Sequence, residues 1–542
     1  MARRPNSHQE EQEAGIGRAL ELHATPVFGQ MLREGSLIPV LREMLIAGAV
    51  SKESVVQDRY VRFAAQQFAK LEEAGLREAA LLSLGIRARD AHLADLMEVL
   101  QDTQQGREWL ALEEVPESAR AIAAYALGLS STQLRASRRT EVARLLMDEV
   151  LTGNGEARLA AALALGLVEL EACGGSVDSD APHTCPGTQS DVLTSALYEV
   201  EAPLELRAHA LTSLAKVAAR FEDQNSRQPF ADLIIEQTQS RADEQLVRSG
   251  ILALGLFGDC DDDAADVSVR KELARLIHTG PKELRGLATI SLAQVSARRI
   301  TNEDNLEETT KILLHELARG RGDQKAWAAL ALGVLGNRVA LTGRGLDRSV
   351  AFGLRERLLS AKAPSLSGAC ALGLALVRDE TEVTDKLLAK RYAKSKDPFF
   401  RSHASLALGV LSVSEAVEEL EEAVGAGDVE AALALKIMGR DEVVPQLVAA
   451  LGDPAADHHA LIRVLGRMAD ARAIPALAKL MKSKKADVEI RVQATRALGR
   501  IAGEGAGHWT APYANDLNYR ALTPSLSDPE AQRGLLDFRP RE

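Results

Sequence analysis

The chain has few of the residues from which disulfide-rich, aromatic-cored or membrane-spanning proteins are built. Only 4% of its 542 residues are aromatic and four are cysteines, so small aliphatic side chains must fill the core and no disulfide framework is expected. No run of about 18 apolar residues is free of charge, which argues against a transmembrane helix. The net charge of −12 argues against a general nucleic-acid binder, because such proteins need a basic face.

Catalytic motifs are missing as well. The sequence contains no GxSxG, P-loop, HExxH or CxxC pattern, and His458–His459 has no acidic or cysteine partner at ligand spacing. The first residues, MARRPNSHQEEQEAG, lack the apolar segment of a signal peptide. We therefore expect a soluble protein with no catalytic residue, metal or cofactor. It should be cytoplasmic, or exported if a cleaved leader is missing from the chain.

One short phrase recurs throughout the sequence. A cation is followed, after seven residues, by Gly or Ala at the end of a run rich in Ala and Leu, as in RAIAAYALG and KAWAALALG. The small residues recur about every 38 residues, which is enough for two helices and two short turns. Such self-similarity predicts an all-α solenoid. The recurring cations are Arg77, Arg120, Arg158, Arg207, Arg285, Lys325, Arg401 and Arg491.

The copy at residues 471–503 shows the helix pair clearly. Ile474, Leu477 and Met481 fall on one face of a first helix, and Asp487 is placed to cap a second helix. The segment DVEIRVQATRALGRIAG, preceded by DARAIPALAKLM, resembles the HEAT-repeat family, in particular the short bacterial HEAT-like units also found in phycobilin lyases. The resemblance implies a right-handed α-solenoid of about twelve helix–turn–helix repeats.

The repeats divide the chain into three parts. Residues 1–76 are predicted to form a helical cap on the first repeat, because the end of a solenoid must be shielded from water. Residues 77–503 form the array, with a loop insertion at 171–190. Residues 504–542 are an irregular tail rich in proline and aromatic residues. In this tail Trp509, Tyr513 and Tyr519 either belong to a lid over the last repeat or anchor a partner.

The recurring cations have two possible roles. Stacked repeats would align them on one surface, where they would hold an acidic partner. Alternatively, each cation bonds a carboxylate or carbonyl of the adjacent repeat and sets the register. The insertion offers a possible disulfide between Cys173 and Cys185 in an oxidising compartment. Zinc binding by these cysteines and His183 is a weaker alternative, because their spacing matches no closed structural site.

The acidic run GDCDDDAAD, residues 258–266, also has two interpretations. Its carboxylates would suit a divalent cation. However, the run lacks the spacing of a known calcium loop and directly precedes a helix expected to begin near Val267. Carboxylates at a helix N-terminus interact favourably with the helix dipole. A solvated turn that caps the helix is therefore favoured.

A long surface without catalytic motifs suits protein docking better than chemistry. We expect a non-catalytic scaffold for a protein partner whose identity the sequence does not disclose. Two alternatives remain. One is a lyase-type enzyme, implied by the resemblance to phycobilin lyases. The other is nucleic-acid binding on the concave face, as in some HEAT-like DNA glycosylases, although the acidic charge disfavours it.

Overall fold

Helices are the regular structure of the described chain. The computed structural model describes residues 19–24, 40–43, 74–87, 90–172, 184–239, 243–502, 517–524 and 526–527. Within these residues no strand occurs, and 24 α-helices follow a π-helical turn at Leu20–Ala24. No described helix is long and apolar enough to cross a lipid bilayer.

The helices have the following bounds in chain order. They are α1 (Ala74–Arg87), α2 (Asp90–Leu100), α3 (Gln104–Leu110), α4 (Glu117–Ser130), α5 (Ala136–Thr152), α6 (Gly155–Leu165), α7 (Pro186–Tyr198), α8 (Leu204–Ala218), α9 (Gln224–Gln239), α10 (Glu244–Phe257), α11 (Ala264–Thr279), α12 (Lys282–Ser296), α13 (Glu303–Arg319), α14 (Gln324–Leu341), α15 (Arg348–Ser360), α16 (Pro364–Leu376), α17 (Glu382–Lys394), α18 (Pro398–Leu411), α19 (Val417–Gly425), α20 (Val429–Ile437), α21 (Val444–Ala450), α22 (His458–Met468), α23 (Ile474–Lys482) and α24 (Val488–Ala502).

Two kinds of helix alternate along the chain. The second helix of each repeat carries the Ala/Leu-rich phrase and is nearly enclosed; eight of the eleven residues of α6 are buried. First helices bury one stripe only, as in α13, where five of seventeen residues are buried. First helices pack on their second helices, as α9 does on α10 and α11 on α12. Second helices also pack on one another, as α4 does on α6 and α14 on α16. This packing confirms the predicted all-α solenoid.

The recurring small residues mark where successive second helices come closest. A Cβ atom added to Gly128 of α4 would lie 2.8 Å from the Cβ of Ala164 and 2.9 Å from its Cα in α6. A Cβ added to Gly409 of α18 would lie 2.6 Å from the Cα of Ala434 in α20. Because backbone atoms stand in the way, only a residue without a side chain fits at these crossings.

The described chain divides into two compact units. Unit 1 contains the described residues up to Ala196, residues 425–429 and those from Asp441 onward. Unit 2 contains residues 197–424 and 430–440. The first and the last described residues therefore belong to unit 1.

The described part of the predicted N-terminal cap lies against the last repeats. The turn Leu20–Ala24 packs on α23, whose Leu477 and Met481 are fully buried. Farther along, the Glu43 carboxylate accepts a hydrogen bond of 2.9 Å from Arg496 of α24. An end repeat has a neighbour on one side only, so its other apolar face needs cover, which distant sequence can supply. Cover of the first repeat by the rest of residues 1–76 stays a prediction.

The C-terminal tail is described only in part. Ala521 and Leu526 are fully buried, whereas Tyr519 is 45% exposed. Trp509 and Tyr513 lie outside the described residues. The burial shows that the described part of the tail is packed, and the choice between lid and partner anchor stays a prediction.

Replacing Gly128 by alanine should destabilise the array by about 1–3 kcal/mol, because the new methyl group would overlap the backbone of α6. Gly425 is the matched control, since it ends α19 and a Cβ there would meet nothing within 4 Å. Urea denaturation followed by circular dichroism measures both variants. Equal midpoints for Gly128→Ala and Gly425→Ala would contradict the close crossing.

Candidate functional site

Most of the recurring cations are used inside the array. Six arginines donate a hydrogen bond to a main-chain carbonyl at the C-terminal end of the preceding first helix. The donor is Nε in all but Arg401, which uses Nη1. The pairs are Arg120 to Leu100 (2.8 Å), Arg158 to Val150 (2.7 Å), Arg207 to Leu197 (2.9 Å), Arg285 to Gly280 (2.9 Å), Arg401 to Tyr392 (3.2 Å) and Arg491 to Met481 (2.9 Å).

This bond satisfies a carbonyl group that has no hydrogen-bond partner within its own helix. The last four carbonyls of a helix have no partner within it, and the dipole favours a cation there. Each arginine therefore caps the first helix of a repeat from the second. Arg120 also reaches the next repeat, with Nη2 3.1 Å from both carboxylate oxygens of Glu149. These bonds favour the structural interpretation of the cations.

The two remaining cations behave less uniformly. Arg77 is buried, and Lys325 is half-buried. Partner binding by the recurring cations stays a prediction. In six of the arginines, one guanidinium nitrogen already bonds a main-chain carbonyl of the array.

The acidic run at 258–266 is not the solvated turn that the sequence favoured. The capping role is confirmed, because a carboxylate oxygen of Asp263 accepts from the main-chain N–H of Asp266 at 2.7 Å. However, Asp259, Asp263 and Asp266 are buried around the guanidinium of Arg227. The Nη1 atom of Arg227 lies 2.9 Å from Asp263 and 2.8 Å from Asp266. The arginine comes from α9, 36 residues away from Asp263, so no local pattern in the acidic run predicts it.

This cluster holds more negative than positive charge. Three buried carboxylates face Arg227, whose side chain is 2% exposed. Burial, assisted by the charge of Asp259 and by a hydrogen bond with Asp263, raises the pKa of Asp266 to about 8. Burial likewise raises the pKa of Asp259. We infer that the Asp266 carboxyl retains a proton at neutral pH, which relieves the repulsion.

The same carboxylates resemble a metal site only in part. Oxygen atoms of Asp259, Asp261 and Asp266 lie within 4.8 Å of one another. The Arg227 guanidinium already pairs with Asp259 and Asp266, so a cation there would face a resident positive charge. The arrangement is explained as a structural ion cluster.

The described cysteines are of two kinds: one is in a disulfide bond and two have free thiols. Cys185 is disulfide-bonded, and Cys173 lies outside the described residues, so their pairing stays a prediction. Cys260 and Cys370 are free and buried. Burial raises the pKa of Cys260 to about 11 and that of Cys370 to about 12. Thiols with so little thiolate character are unreactive.

A cavity in unit 2 was not foreseen from the sequence. It has a volume of about 480 Å³ and is formed by the C-terminal ends of α15 and α17 and the first turns of α16 and α18. Its cations are Lys362, Lys390, Arg391 and Lys394, and its carboxylate is Asp397. We call this cavity the basic pocket. The spacing of four residues between Lys390 and Lys394, which places both on one helix face, is the signal that would have indicated it.

The comparisons with known proteins identify no family. No protein-family model matches the chain, and no curated protein matches it. Among solved structures, an engineered protein is similar with a TM-score of 0.29 and 16% identity, over 82% of this chain and 99% of that chain.

The karyopherin Kap121p, solved bound to the extreme C-terminus of the protein phosphatase Cdc14p, is similar with a TM-score of 0.27 and 11% identity. That match covers 91% of this chain and 56% of the karyopherin. TM-scores this low carry no argument about the chain. The helix pairs and their packing show an α-solenoid.

Removing a capping arginine should destabilise the fold. Arg491→Ala leaves the buried carbonyl of Met481 without this donor, which should cost about 1–3 kcal/mol in the free energy of unfolding. Arg248→Ala is the control, since its pair with Glu244 is exposed and worth at most about 0.5 kcal/mol. Chemical denaturation of both variants measures the difference. An unchanged stability in Arg491→Ala would refute the capping role.

The Arg227 cluster should make stability fall as pH rises from about 4, near the ordinary pKa of an aspartate, to about 8, the pKa of Asp266 in the folded chain. The pKa of Asp266 is about 8 when folded, above the ordinary value of 3.8, so its contribution is lost as pH rises through 8. Between pH 7 and pH 9 the loss should be about 1 kcal/mol. Denaturation of wild type and Asp266→Asn at both pH values tests this. The variant should lack this part of the decline, and parallel declines would contradict the assignment.

Proposed function

We propose that the chain is a non-catalytic scaffold that docks a protein partner on the helices of unit 2. The observation that carries the proposal is the exposure of large apolar side chains on three helices of unit 2, α15, α17 and α18. Phe352 of α15 is 57% exposed, Val383 of α17 is 66% exposed and Phe399 of α18 is 50% exposed. Exposed apolar side chains occur at protein interfaces, where aromatic side chains act as anchors.

The titratable groups support docking rather than chemistry. A catalytic site generally places groups with shifted pKa values in an accessible cleft. Here the groups with the largest described shifts are Asp266, Cys260, Cys370 and Arg298. Arg298 donates to the main-chain carbonyls of Gly255 and Leu256 at the end of α10, and burial lowers its pKa to about 10. None of these four groups lines the basic pocket. The proposal therefore assigns the shifted groups to the folding of the array.

A cross-linking pull-down from the native lysate tests the scaffold. Tagged wild-type protein should recover one recurrent protein, with cross-links on α15 to α18. Phe352→Ser/Val383→Ser should reduce that recovery by roughly tenfold, because two apolar anchors of the interface are lost.

The control replaces two exposed apolar residues elsewhere in unit 2, Val200 and Ile437, which are 91% and 45% exposed. Val200→Ser/Ile437→Ser should recover the partner as wild type does. Equal recovery by both double variants would reject this surface. Recovery of nucleic acid or a pigment without any protein would reject the scaffold itself.

A further inference from the structure

We propose that the basic pocket binds an acidic linear segment of a partner protein, with carboxylates against its lysines and an apolar side chain in its interior. This inference rests on the scaffold function proposed above. Lys362, Lys390, Arg391 and Lys394 converge on a cavity of about 480 Å³ in a protein whose net charge is −12.

The one carboxylate that lines the pocket already has a hydrogen-bond partner in the chain. Asp397 caps α18, and its Oδ1 atom accepts a hydrogen bond of 2.9 Å from the main-chain N–H of Phe400. It is therefore committed to the helix N-terminus. The pocket keeps an excess of positive charge that complements an anionic ligand.

Three lysines follow one another along one face of α17, and only the first has an acidic partner on that helix. Lys386, Lys390 and Lys394 follow one another at intervals of four residues, an arrangement that weakens a helix by a few tenths of a kcal/mol per pair. Lys386 has an acidic partner in Glu382. Within the described residues, no carboxylate forms a salt bridge with Lys390 or Lys394, and both ammonium groups are exposed.

The helix dipole accounts for only some of these cations. Arg391 and Lys394 lie in the last turn of α17, where a positive charge is favourable. Lys362 lies two residues before Pro364, the first residue of α16, where a cation is unfavourable. The N-cap residue of α16, Ala363, makes no side-chain capping bond. An anion at this position would interact favourably with both the lysine and the helix N-terminus.

Arg391 is the most constrained cation of the pocket. Its Nη2 atom lies 3.3 Å from the Ser367 hydroxyl and 3.5 Å from the Ala361 carbonyl. Its guanidinium also lies 5.6 Å from the ring centre of Phe400. These contacts hold the group in place, so little side-chain entropy is lost when an anion binds.

The remaining wall of the pocket is apolar. Leu359, which is 63% exposed, joins Leu387 and the buried ring of Phe400. A small anion, such as free phosphate or an anion bound to a metal ion, would leave these apolar side chains without a contact. A peptide with an apolar residue between acidic residues would cover them and satisfy the lysines together. This combination favours a protein segment over a small anion.

Fluorescence anisotropy with the full chain tests the proposal directly. The probe is a fluorescein-labelled peptide with four repeats of Glu-Glu-Leu, and its comparison is the same peptide with Gln in place of Glu. Wild type should bind the acidic peptide in a salt-sensitive manner and the Gln peptide at least roughly tenfold more weakly, because charge attraction is lost. Equal binding of the two peptides would overturn the proposal.

Charge reversal assigns the binding to the pocket. Lys390→Glu/Lys394→Glu should weaken the binding of the acidic peptide by roughly tenfold or more, because attraction between the pocket and the peptide becomes repulsion. The matched control is Lys484→Glu/Lys485→Glu, which makes the same charge change at an exposed turn outside the pocket. Leu359→Ser tests the apolar wall and should also weaken binding. Thermal melting should be close to wild type in all three variants, because every substituted side chain is exposed.

Four further outcomes would overturn the inference. Equal weakening by the pocket and control variants would mean that overall charge, rather than the pocket, holds the peptide. Competition by inorganic phosphate or a DNA oligomer at lower concentration than the unlabelled peptide would assign the pocket to a different ligand. Full recovery of the cross-linked partner by Lys390→Glu/Lys394→Glu would overturn the proposed role of the pocket without contradicting the proposed scaffold function. Loss of the partner only in Phe352→Ser/Val383→Ser would have the same meaning.

Discussion

The close crossing of successive second helices is the constraint on which the rest of the structure depends. Gly128 against Ala164 and Gly409 against Ala434 leave no room for a further carbon atom. At such short separations, small side chains supply the core, which explains why 46% of the residues are apolar and only 4% are aromatic. Once the second helices are fixed in this way, the first helices need to bury only one face.

Arginine side chains link the two layers of helices. The bond from Arg491 to the Met481 carbonyl and its equivalents join each second helix to the unpaired end of its first helix. The cluster of Arg227 with Asp263 and Asp266 instead joins two successive first helices, α9 and α11. Buried charge in this protein is thus largely committed to holding the array, and the groups left for a partner are at its surface.

The surface of unit 2 differs from that interior. Phe352 and Val383 are exposed although burial of such side chains is favourable, and Lys390 and Lys394 lie beside each other although like charges repel. Neither feature stabilises the helices that carry it. Both are explained if a partner covers the apolar groups and neutralises the lysines, which is the reasoning behind the proposed scaffold and its acidic ligand.

Much of the fold could be predicted from the sequence because its signals are local and repeated. The helix pair, the role of the small residue and the approximate number of repeats follow from a period of about 38 residues, and eight described helices carry the phrase with its cation. Capping of α11 by Asp263 was also predictable, since a cap and its helix are adjacent in the chain. The basic pocket could be predicted less well from the sequence, because its walls come from the ends of four helices.

The sequence by itself determined the alternation of first and second helices, because hydrophobic period and small-residue spacing depend only on neighbours along the chain. Only the tertiary structure decided which side chains far apart in the sequence come into contact. It placed Arg227 among three aspartates, Glu43 beside Arg496, and Lys362 with Lys390 around one cavity. Such contacts depend on how helices stack in three dimensions, and that stacking leaves no periodic trace in a single sequence.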